Sequence, residues 1–180
     1  MRVVGGVARG RHLRAPRGGA TRPTSDRVRE AVFSMLESMG AVEGAVVVDL
    51  FAGSGALGIE ALSRGASEAT FVDHDRSTAG VIRSNLAVLG DDFVGRSRVV
   101  VADALRFASN MPVCDLLFAD PPYAFADWSE LLGAAGDKAG LVVAETGGPW
   151  EPVEGWQTVK AKTYGGTVVT VARLRRPGET

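Results

Sequence analysis

Cysteine is nearly absent from this sequence: Cys114 is the only one among 180 residues. A single cysteine excludes a disulfide framework and a cysteine-based zinc site, so we expect a reducing, cytoplasmic setting and no metal. Long apolar runs are missing as well. No stretch approaches the ~18 apolar residues of a transmembrane helix, and the amino end lacks the apolar core of a signal peptide. We therefore expect a protein without membrane contact, with Cys114 as a small apolar residue in a strand.

The net charge of the chain is close to zero, but the positive and negative residues are unevenly distributed along it. The net charge is −1, yet residues 1–24 contain no acid and six arginines: Arg2, Arg9, Arg11, Arg14, Arg17 and Arg22. This segment carries +6, so the rest of the chain carries −7. Clustered arginines suit phosphate groups and nucleic acid, although a solvated basic tail is the alternative. The same segment favours a short β-hairpin that presents the arginines, because its apolar residues are interspersed with glycines: Val3, Val4, Val7 and Leu13 with Gly5, Gly6 and Gly10.

A strand followed by a glycine-rich turn occupies residues 46–58. Val46–Leu50 is apolar except for Asp49, which is typical of a buried parallel strand. Gly53 and Gly55 permit a tight turn and a close approach of a ligand to the backbone. With Gly58, and with Asp73 placed 20 residues after Gly53, the spacing also satisfies the dinucleotide fingerprint.

Strands alternate with helices along the chain and predict a mostly parallel sheet covered on both faces. A first helix should begin near Ser25 or Asp26, end at Gly40 and bury six residues: Val28, Ala31, Val32, Met35, Leu36 and Met39. The further helices are expected at Leu57–Arg64, Ser77–Leu89, Ala104–Ser109 and Trp128–Ala135. The seven strands are expected at Val46–Leu50, Ala69–Val72, Arg98–Ala102, Leu116–Ala119, Leu141–Ala144, Gln157–Lys162 and Thr167–Leu174. The last two, joined across Gly165 and Gly166, should form an antiparallel hairpin.

Four acids lie at or near the ends of consecutive predicted strands: Asp49, Asp73, Asp103 and Asp120. In an open parallel sheet the carboxyl ends of the strands share one edge, where ligands bind. Asp120 opens the turn Asp120-Pro121-Pro122-Tyr123, whose prolines fix φ and remove backbone donors. Such a turn offers hydrogen-bond acceptors, and Tyr123 can stack on a base taken out of its helix.

The ordered set of glycine loop, Asp73 and Asp-Pro-Pro-Tyr resembles the class I S-adenosylmethionine (SAM) methyltransferases that modify exocyclic amines. The block Arg22-Pro-Thr-Ser-Asp-Arg-Val-Arg-Glu-Ala-Val-Phe33 resembles the RsmD family, which methylates the N2 amine of a guanine in bacterial 16S ribosomal RNA. The resemblance implies a Rossmann-like α/β fold with seven strands. It also implies a methyltransferase domain over residues 25–180 and a basic RNA-binding arm over residues 1–24.

The resemblance also implies roles for individual residues. Catalysis is expected at Asp120, Pro121, Pro122 and Tyr123, with Asp120 and the Pro121 carbonyl accepting the two N–H groups of the target amine. SAM, released as S-adenosylhomocysteine, is expected to be bound by Asp49, Phe51, Ala52, Gly53, Ser54, Gly55, Asp73, His74, Asp103 and Ala104. His74 is as compatible with an exposed turn as with an adenine contact. The six arginines are expected to hold 16S rRNA within the small ribosomal subunit, and the protein is expected to be a monomer.

Three other functions fit parts of the sequence. An adenine-N6 methyltransferase on RNA or DNA could use the same Asp-Pro-Pro-Tyr turn. A nicotinamide-dependent dehydrogenase could use the glycine fingerprint, but the chain offers no second domain for its substrate. A non-catalytic RNA-binding assembly factor could keep the fold without turnover.

Overall fold

The computed structural model describes residues 1–16, 25–148 and 153–175. Its helices are α1 (Asp26–Ser38), α2 (Ala56–Ser63), α3 (Arg76–Leu89), α4 (Asp91–Gly95), α5 (Ala104–Asn110) and α6 (Trp128–Ala135), and a 3-10 turn (Gly136–Lys138) follows α6. Its strands are β1 (Val46–Leu50), β2 (Glu68–Asp73), β3 (Ser97–Val101), β4 (Cys114–Ala119), β5 (Ala139–Thr146), β6 (Trp156–Tyr164) and β7 (Thr167–Leu174).

The seven strands form one sheet in the order β3-β2-β1-β4-β5-β7-β6. Strands β1 to β5 pair in parallel, whereas β7 is antiparallel to both β5 and β6. The predicted fold class is therefore confirmed, including the carboxyl-terminal hairpin. The chain moves outward from β1 to β3 and then returns to the other side of β1 with β4. This reversal between β1 and β4 is where an open sheet leaves a crevice for a ligand.

Two hydrophobic clusters cover the two faces of the sheet. On β1, Val47 belongs to the first cluster and Val48 to the second, because successive strand residues point to opposite faces. Helices α1 to α4 contribute to the first cluster through residues such as Phe33 and Ile82. Helices α5 and α6 contribute to the second through residues such as Leu131.

Helix α1 has the predicted ends but a different buried face. The Ser25 hydroxyl accepts a hydrogen bond from the Val28 amide at 3.2 Å, and Gly40 follows the helix with φ +64°. The fully buried positions of α1 are Arg29, Val32, Phe33 and Leu36. The other four residues predicted to be buried, Val28, Ala31, Met35 and Met39, are only partly so. The buried face is thus rotated toward Arg29. Composition alone does not suggest that this arginine is buried.

Strand β4 begins at Cys114, two residues earlier than predicted, and Cys114 is buried as expected. Burial raises the pKa of the Cys114 thiol to about 12, and the nearby charge of Asp115 adds to this rise. Cys114 therefore remains a thiol at neutral pH and is no nucleophile. Helix α4 was not predicted, because five residues are too few to show a helical period.

Candidate active site

The carboxyl ends of four neighbouring strands meet at one edge of the sheet. Leu50 of β1 pairs with Val72 of β2 and with Ala119 of β4, and Ala119 pairs with Ala144 of β5. The acids that follow or end these strands are therefore brought together, as the strand pattern predicted. We call this edge, with Asp49, Asp73, Asp120 and the loops that follow their strands, the acidic rim.

The turn after β1 has an unusual backbone. Phe51 has φ +59° and is the one non-glycine residue with positive φ in the described ranges, while Gly53 and Gly55 have φ +55° and +79°. The Gly53 amide donates to the Asp73 carboxylate at 3.0 Å, so the turn is tied to β2. A non-glycine residue in the left-handed region costs about 1–3 kcal/mol, and such residues concentrate at functional sites.

The three glycines of the turn have different reasons to be glycine. A Cβ on Gly53 would have only the Phe51 carbonyl oxygen near it, at 3.8 Å, so this side of the loop is open to a ligand. A Cβ on Gly58 would lie 2.4 Å from the Phe71 ring, so Gly58 permits α2 to pack on β2. Gly55 combines positive φ with a contact of 3.2 Å to Ile82. Only Gly53 therefore has the open surroundings that a cofactor requires.

Asp49 is a buried carboxylate, 1% exposed, and accepts a hydrogen bond from the Gly58 amide at 3.0 Å. Burial raises its pKa well above the usual value. The Gly58 hydrogen bond opposes this rise, and the negative charges of Asp120 and Asp73 add to it. The three acids lie at the carboxyl ends of the adjacent strands β2, β1 and β4, so the charge of each acts on the others. A bound cation would relieve the cost of ionising Asp49.

Asp73, at the end of β2, uses its two oxygens separately. One accepts from the Gly53 amide and the other from the Asp75 amide, at 3.0 and 2.9 Å. Next to it, His74 is exposed, with its Nδ1 3.6 Å from an Asp73 oxygen. Asp75 caps α3 by accepting from the Thr78 amide at 2.7 Å.

The remaining predicted cofactor residues occupy varied surroundings. Asp103 is exposed and caps α5 by accepting from the Arg106 amide at 3.0 Å, and Ala104 is buried in the first turn of that helix. The Ser54 hydroxyl is not turned to the open side of the loop: it lies 3.2 Å from the Met1 sulfur. The roles predicted for these residues toward SAM stay predictions.

A pocket lies beside the Asp120-Pro121-Pro122-Tyr123 turn. Tyr123 is 59% exposed, and its hydroxyl lies 3.1 Å from the Thr167 hydroxyl. The pocket is lined by Pro121, Pro122, Tyr123, Phe125, Trp128, Glu145, Thr146 and Gly147. Its aromatic wall, Phe125 and Trp128, and its acid, Glu145, were not predicted. Glu145 directly follows an apolar run, as Asp73 and Asp120 do, and that sequence signal could have identified it.

Aromatic contacts join this pocket to the glycine turn. Phe51 packs edge-on against Phe125 with ring centroids 5.2 Å apart, and Phe125 packs against Trp128 at 5.3 Å. Such aromatic pairs contribute about 0.5–1.5 kcal/mol beyond the area they bury. The turn after β1 and the turn after β4 thus share one aromatic cluster.

The amino-terminal segment forms the predicted hairpin and is docked on the sheet domain. Arg2 pairs antiparallel with His12, and the Val3 amide donates to the Arg11 carbonyl at 2.9 Å. The Asn85 side chain donates to the carbonyls of both Arg14 and Ser54, at 3.0 and 2.9 Å. The hairpin therefore lies directly beside the glycine turn.

The arginines of the hairpin are not equivalent. Arg2 pairs with Asp26 at 3.2 Å, and Arg11 donates to the Val88 carbonyl. The side chains of Arg9 and Arg14 are exposed. Arg17 and Arg22 lie outside the described residues, so their predicted RNA contacts remain predictions, as do those of the other four.

A buried ionic cluster joins the hairpin, α1 and α2. Arg29, 0% exposed, contacts Asp26 at 2.9 Å and Glu60 at 3.5 Å. Glu60 also contacts Arg64 at 2.8 Å and accepts from the amides of Val4 and Gly5 at 2.9 and 2.7 Å. Part of the amino-terminal block that resembled the RsmD family therefore holds the fold together.

No group of three or more metal-ligating side chains was found among the described residues. In the same part of the chain, none of the helices combines the length and apolar character needed to span a bilayer.

Known proteins resemble this chain over nearly its whole length. The family model described as Conserved hypothetical protein 95 matches residues 1–173. Ribosomal RNA small subunit methyltransferase D of Escherichia coli (strain K12) is 35% identical over 189 residues, covering 99% of this chain and 92% of that protein. The protein of the same name from Haemophilus influenzae is 33% identical over 177 residues, covering 92% of this chain and 89% of its own length. The solved structure of yhhF from Escherichia coli has a TM-score of 0.83 and 33% identity, with 97% of each chain covered.

Proposed function

The chain belongs to the RsmD family, described as Conserved hypothetical protein 95, and we propose that it transfers a methyl group from SAM to the N2 amine of a guanine in 16S rRNA. The observation that carries this proposal is the shared aromatic cluster of the two turns. Phe51 of the glycine turn contacts Phe125 beside the Asp-Pro-Pro-Tyr turn, so a donor bound by the first turn would lie next to an acceptor bound by the second.

The acidic rim fits SAM better than it fits a dinucleotide. SAM carries a sulfonium and an ammonium group, whereas a dinucleotide carries a pyrophosphate that Asp49, Asp73 and Asp120 would repel. The open side of Gly53 can accept the methionine and ribose portion, with Asp49 near the ammonium group and Asp73 near the ribose hydroxyls. SAM supplies an electrophilic methyl group.

Asp120 and the Pro121 carbonyl would prepare the amine. Its nitrogen is a poor nucleophile because the lone pair is delocalised into the purine ring. Two acceptors that hold the N–H groups direct the lone pair toward the methyl carbon, and this in-line positioning supplies most of the rate enhancement. As the new nitrogen–carbon bond forms, the sulfur–carbon bond breaks and its electron pair remains on sulfur. The proton that the amine loses can pass to Asp120.

The hairpin would hold the RNA next to this site. Arg9 and Arg14 are exposed, and Asn85 connects the hairpin backbone to Ser54 of the glycine turn. Phosphates bound by these arginines would therefore lie close to the methyl donor. We propose that the substrate is the small ribosomal subunit during assembly, because unpaired, splayed bases of its rRNA can be reached at that stage. We also propose that the protein acts as a monomer in the cytoplasm.

The test is methyl transfer from labelled SAM to small subunits purified from a strain that lacks this protein, followed by mapping of the modified nucleoside. We expect N2-methylguanine at one position of 16S rRNA. Asp120→Asn should reduce the rate by roughly 100-fold or more, since it removes a charged acceptor from the transition state. The matched control is Asp137→Asn, an exposed acid on the 3-10 turn, which should keep the native rate.

Two outcomes would replace this proposal. N6-methyladenine as the product would assign the adenine-directed reaction. If Asp120→Asn left the cellular function of the protein unchanged while no methylated nucleoside was formed, the protein would be an RNA-binding assembly factor.

A further inference from the structure

The pocket beside the Asp-Pro-Pro-Tyr turn contains an acid with no part in the function proposed above. Glu145 lies at the carboxyl end of β5, is 9% exposed and lines the pocket together with Tyr123, Phe125 and Trp128. An exposed tyrosine ring and a buried carboxylate in one pocket match a purine, which has two π-faces and a polar edge.

The sheet register places Glu145 next to Asp120. Ala119 of β4 pairs with Ala144 of β5 in parallel, and each acid is the next residue of its strand or turn. Neighbouring strands lie about 4.8 Å apart, so the two carboxylates begin from adjacent positions. The residues two positions before Glu145, Asp49 and Asp73 are Val143, Val47 and Phe71, and all three belong to the first hydrophobic cluster. Because strand side chains alternate, Glu145 points to the same face of the sheet as Asp49 and Asp73.

Two adjacent acceptors distinguish the two purines that carry exocyclic amines. Guanine presents N1–H beside its N2 amine, so both neighbouring groups are donors. Adenine presents an unprotonated N1 beside its N6 amine, and that nitrogen is an acceptor. A carboxylate next to Asp120 would bind N1–H of guanine and repel N1 of adenine. A polar group of the base that is left without a partner costs more free energy than a missing contact would, so such pairs discriminate between the two bases.

We propose that Glu145 is the specificity-determining residue of this site, accepting a hydrogen bond from N1–H of the target guanine while Asp120 and Pro121 hold its amine. This inference rests on the proposed guanine-N2 reaction. It explains how one Asp-Pro-Pro-Tyr turn, which suits both amines, is restricted to guanine.

The test compares two bases that carry the same 2-amine. Reconstituted small-subunit particles would contain either guanine or 2-aminopurine at the mapped position, and 2-aminopurine has no proton on N1. With the native protein, we expect kcat/KM to be about 10- to 100-fold higher for guanine, the value of one hydrogen bond to a charged group. With Glu145→Gln, the rate on guanine should fall. The ratio of kcat/KM for guanine to that for 2-aminopurine should shrink to about threefold or reverse, because the amide can donate to an unprotonated N1.

The controls separate this inference from its premise. Glu68→Gln, at the exposed start of β2, should leave both rates unchanged. Activity of Glu145→Gln on 2-aminopurine at the native level would show that the variant is folded. If that variant is inactive on both bases, a normal thermal shift with S-adenosylhomocysteine together with loss of the guanine preference in Glu145→Ala would still support base reading.

Three results are decisive. If the native protein methylates guanine but the preference over 2-aminopurine is the same in Glu145→Gln, Glu145 does not read N1 and only this inference fails. If the native protein methylates both bases equally, the same conclusion follows. If it methylates neither base, the proposed function itself fails.

Discussion

Asp49 shows how a residue of a candidate site can oppose the stability of the fold. Its carboxylate is buried beside two other acids, and its pKa is raised above the ordinary value of 3.8, chiefly by burial. Between that value and the raised pKa, the folded protein binds more protons than the unfolded chain. The stabilising contribution is therefore complete at low pH and is lost as pH rises through the raised pKa.

We predict that Asp49→Asn stabilises the protein without ligand, and does so more at pH 8 than at pH 5. The amide oxygen can keep the Gly58 hydrogen bond, while the ionisation that opposes folding is removed. Urea unfolding at the two pH values measures the difference in the free energy of unfolding. Calorimetry should show SAM binding about 10- to 100-fold more weakly, since a charged hydrogen bond is lost. The same change in the free energy of unfolding at both pH values, or a loss of stability, would contradict this assignment.

Among the structural elements, the glycine turn and helix α1 require different properties of their sequences. The turn must leave room for a ligand, whereas α1 must be fixed to α2 and the hairpin. The glycines and the cap at Ser25 were identified from sequence because turns and caps follow local rules. The burial of Arg29 was not, because it depends on Glu60, which is 31 positions away in the chain and meets Arg29 only in the folded protein.

Gly53→Ala should separate backbone strain from ligand access. Without ligand, the left-handed conformation should cost about 1 kcal/mol in the free energy of unfolding, because a Cβ at this position meets no close neighbour. SAM affinity should fall much more, by at least tenfold in calorimetry. The control is Gly44→Ala, with φ +72° and no atom within 4 Å of its Cβ, which should lose similar stability and no affinity. Unchanged SAM affinity in Gly53→Ala would place the cofactor elsewhere.

Arg29→Ala should destabilise the protein by about 3–5 kcal/mol, because it leaves Glu60 buried without one of its cationic partners. Arg27→Ala is the matched control: Arg27 is exposed on the same helix and should change the free energy of unfolding by less than about 0.5 kcal/mol. Both values come from chemical denaturation. A small effect of Arg29→Ala would mean that Arg64 alone balances Glu60.

At the scale of the whole molecule, a basic hairpin is docked on an acidic domain. The sequence separates the charges, and the tertiary structure places the basic part beside the glycine turn through Asn85. The positive charge of the hairpin and the negative charge of the acidic rim therefore lie close together in the folded chain.

Replacing both Arg9 and Arg14 by alanine should weaken binding to small subunits and flatten its dependence on salt. Each lost phosphate contact removes about 0.7–0.9 from the slope of log K against log salt, so losing two contacts should reduce the slope by about 1.4 to 1.8. SAM affinity should be unchanged. Arg98→Ala, an exposed arginine on β3, should leave the slope as it is. A native slope in the double variant would show that the hairpin does not hold RNA.

Much of the candidate site follows from local pattern. Asp49, Asp73 and Asp120 lie at or near the ends of apolar runs that predict strands, so the carboxyl ends of these strands carry acids, because alternation and parallel pairing are consequences of strand geometry. The glycines at 53 and 55 and the prolines at 121 and 122 determine the turns between them, because each restricts or frees φ in a known way.

Which distant residues contact one another depends on the tertiary structure. Contact between Phe51 and Phe125, burial of Arg29 against Glu60, and the presence of Glu145 beside Asp120 depend on sheet order and register. Sheet order and register are set by the packing of whole helices and strands. This packing brings together residues that are far apart in the chain, and the local sequence around either residue does not indicate the contact.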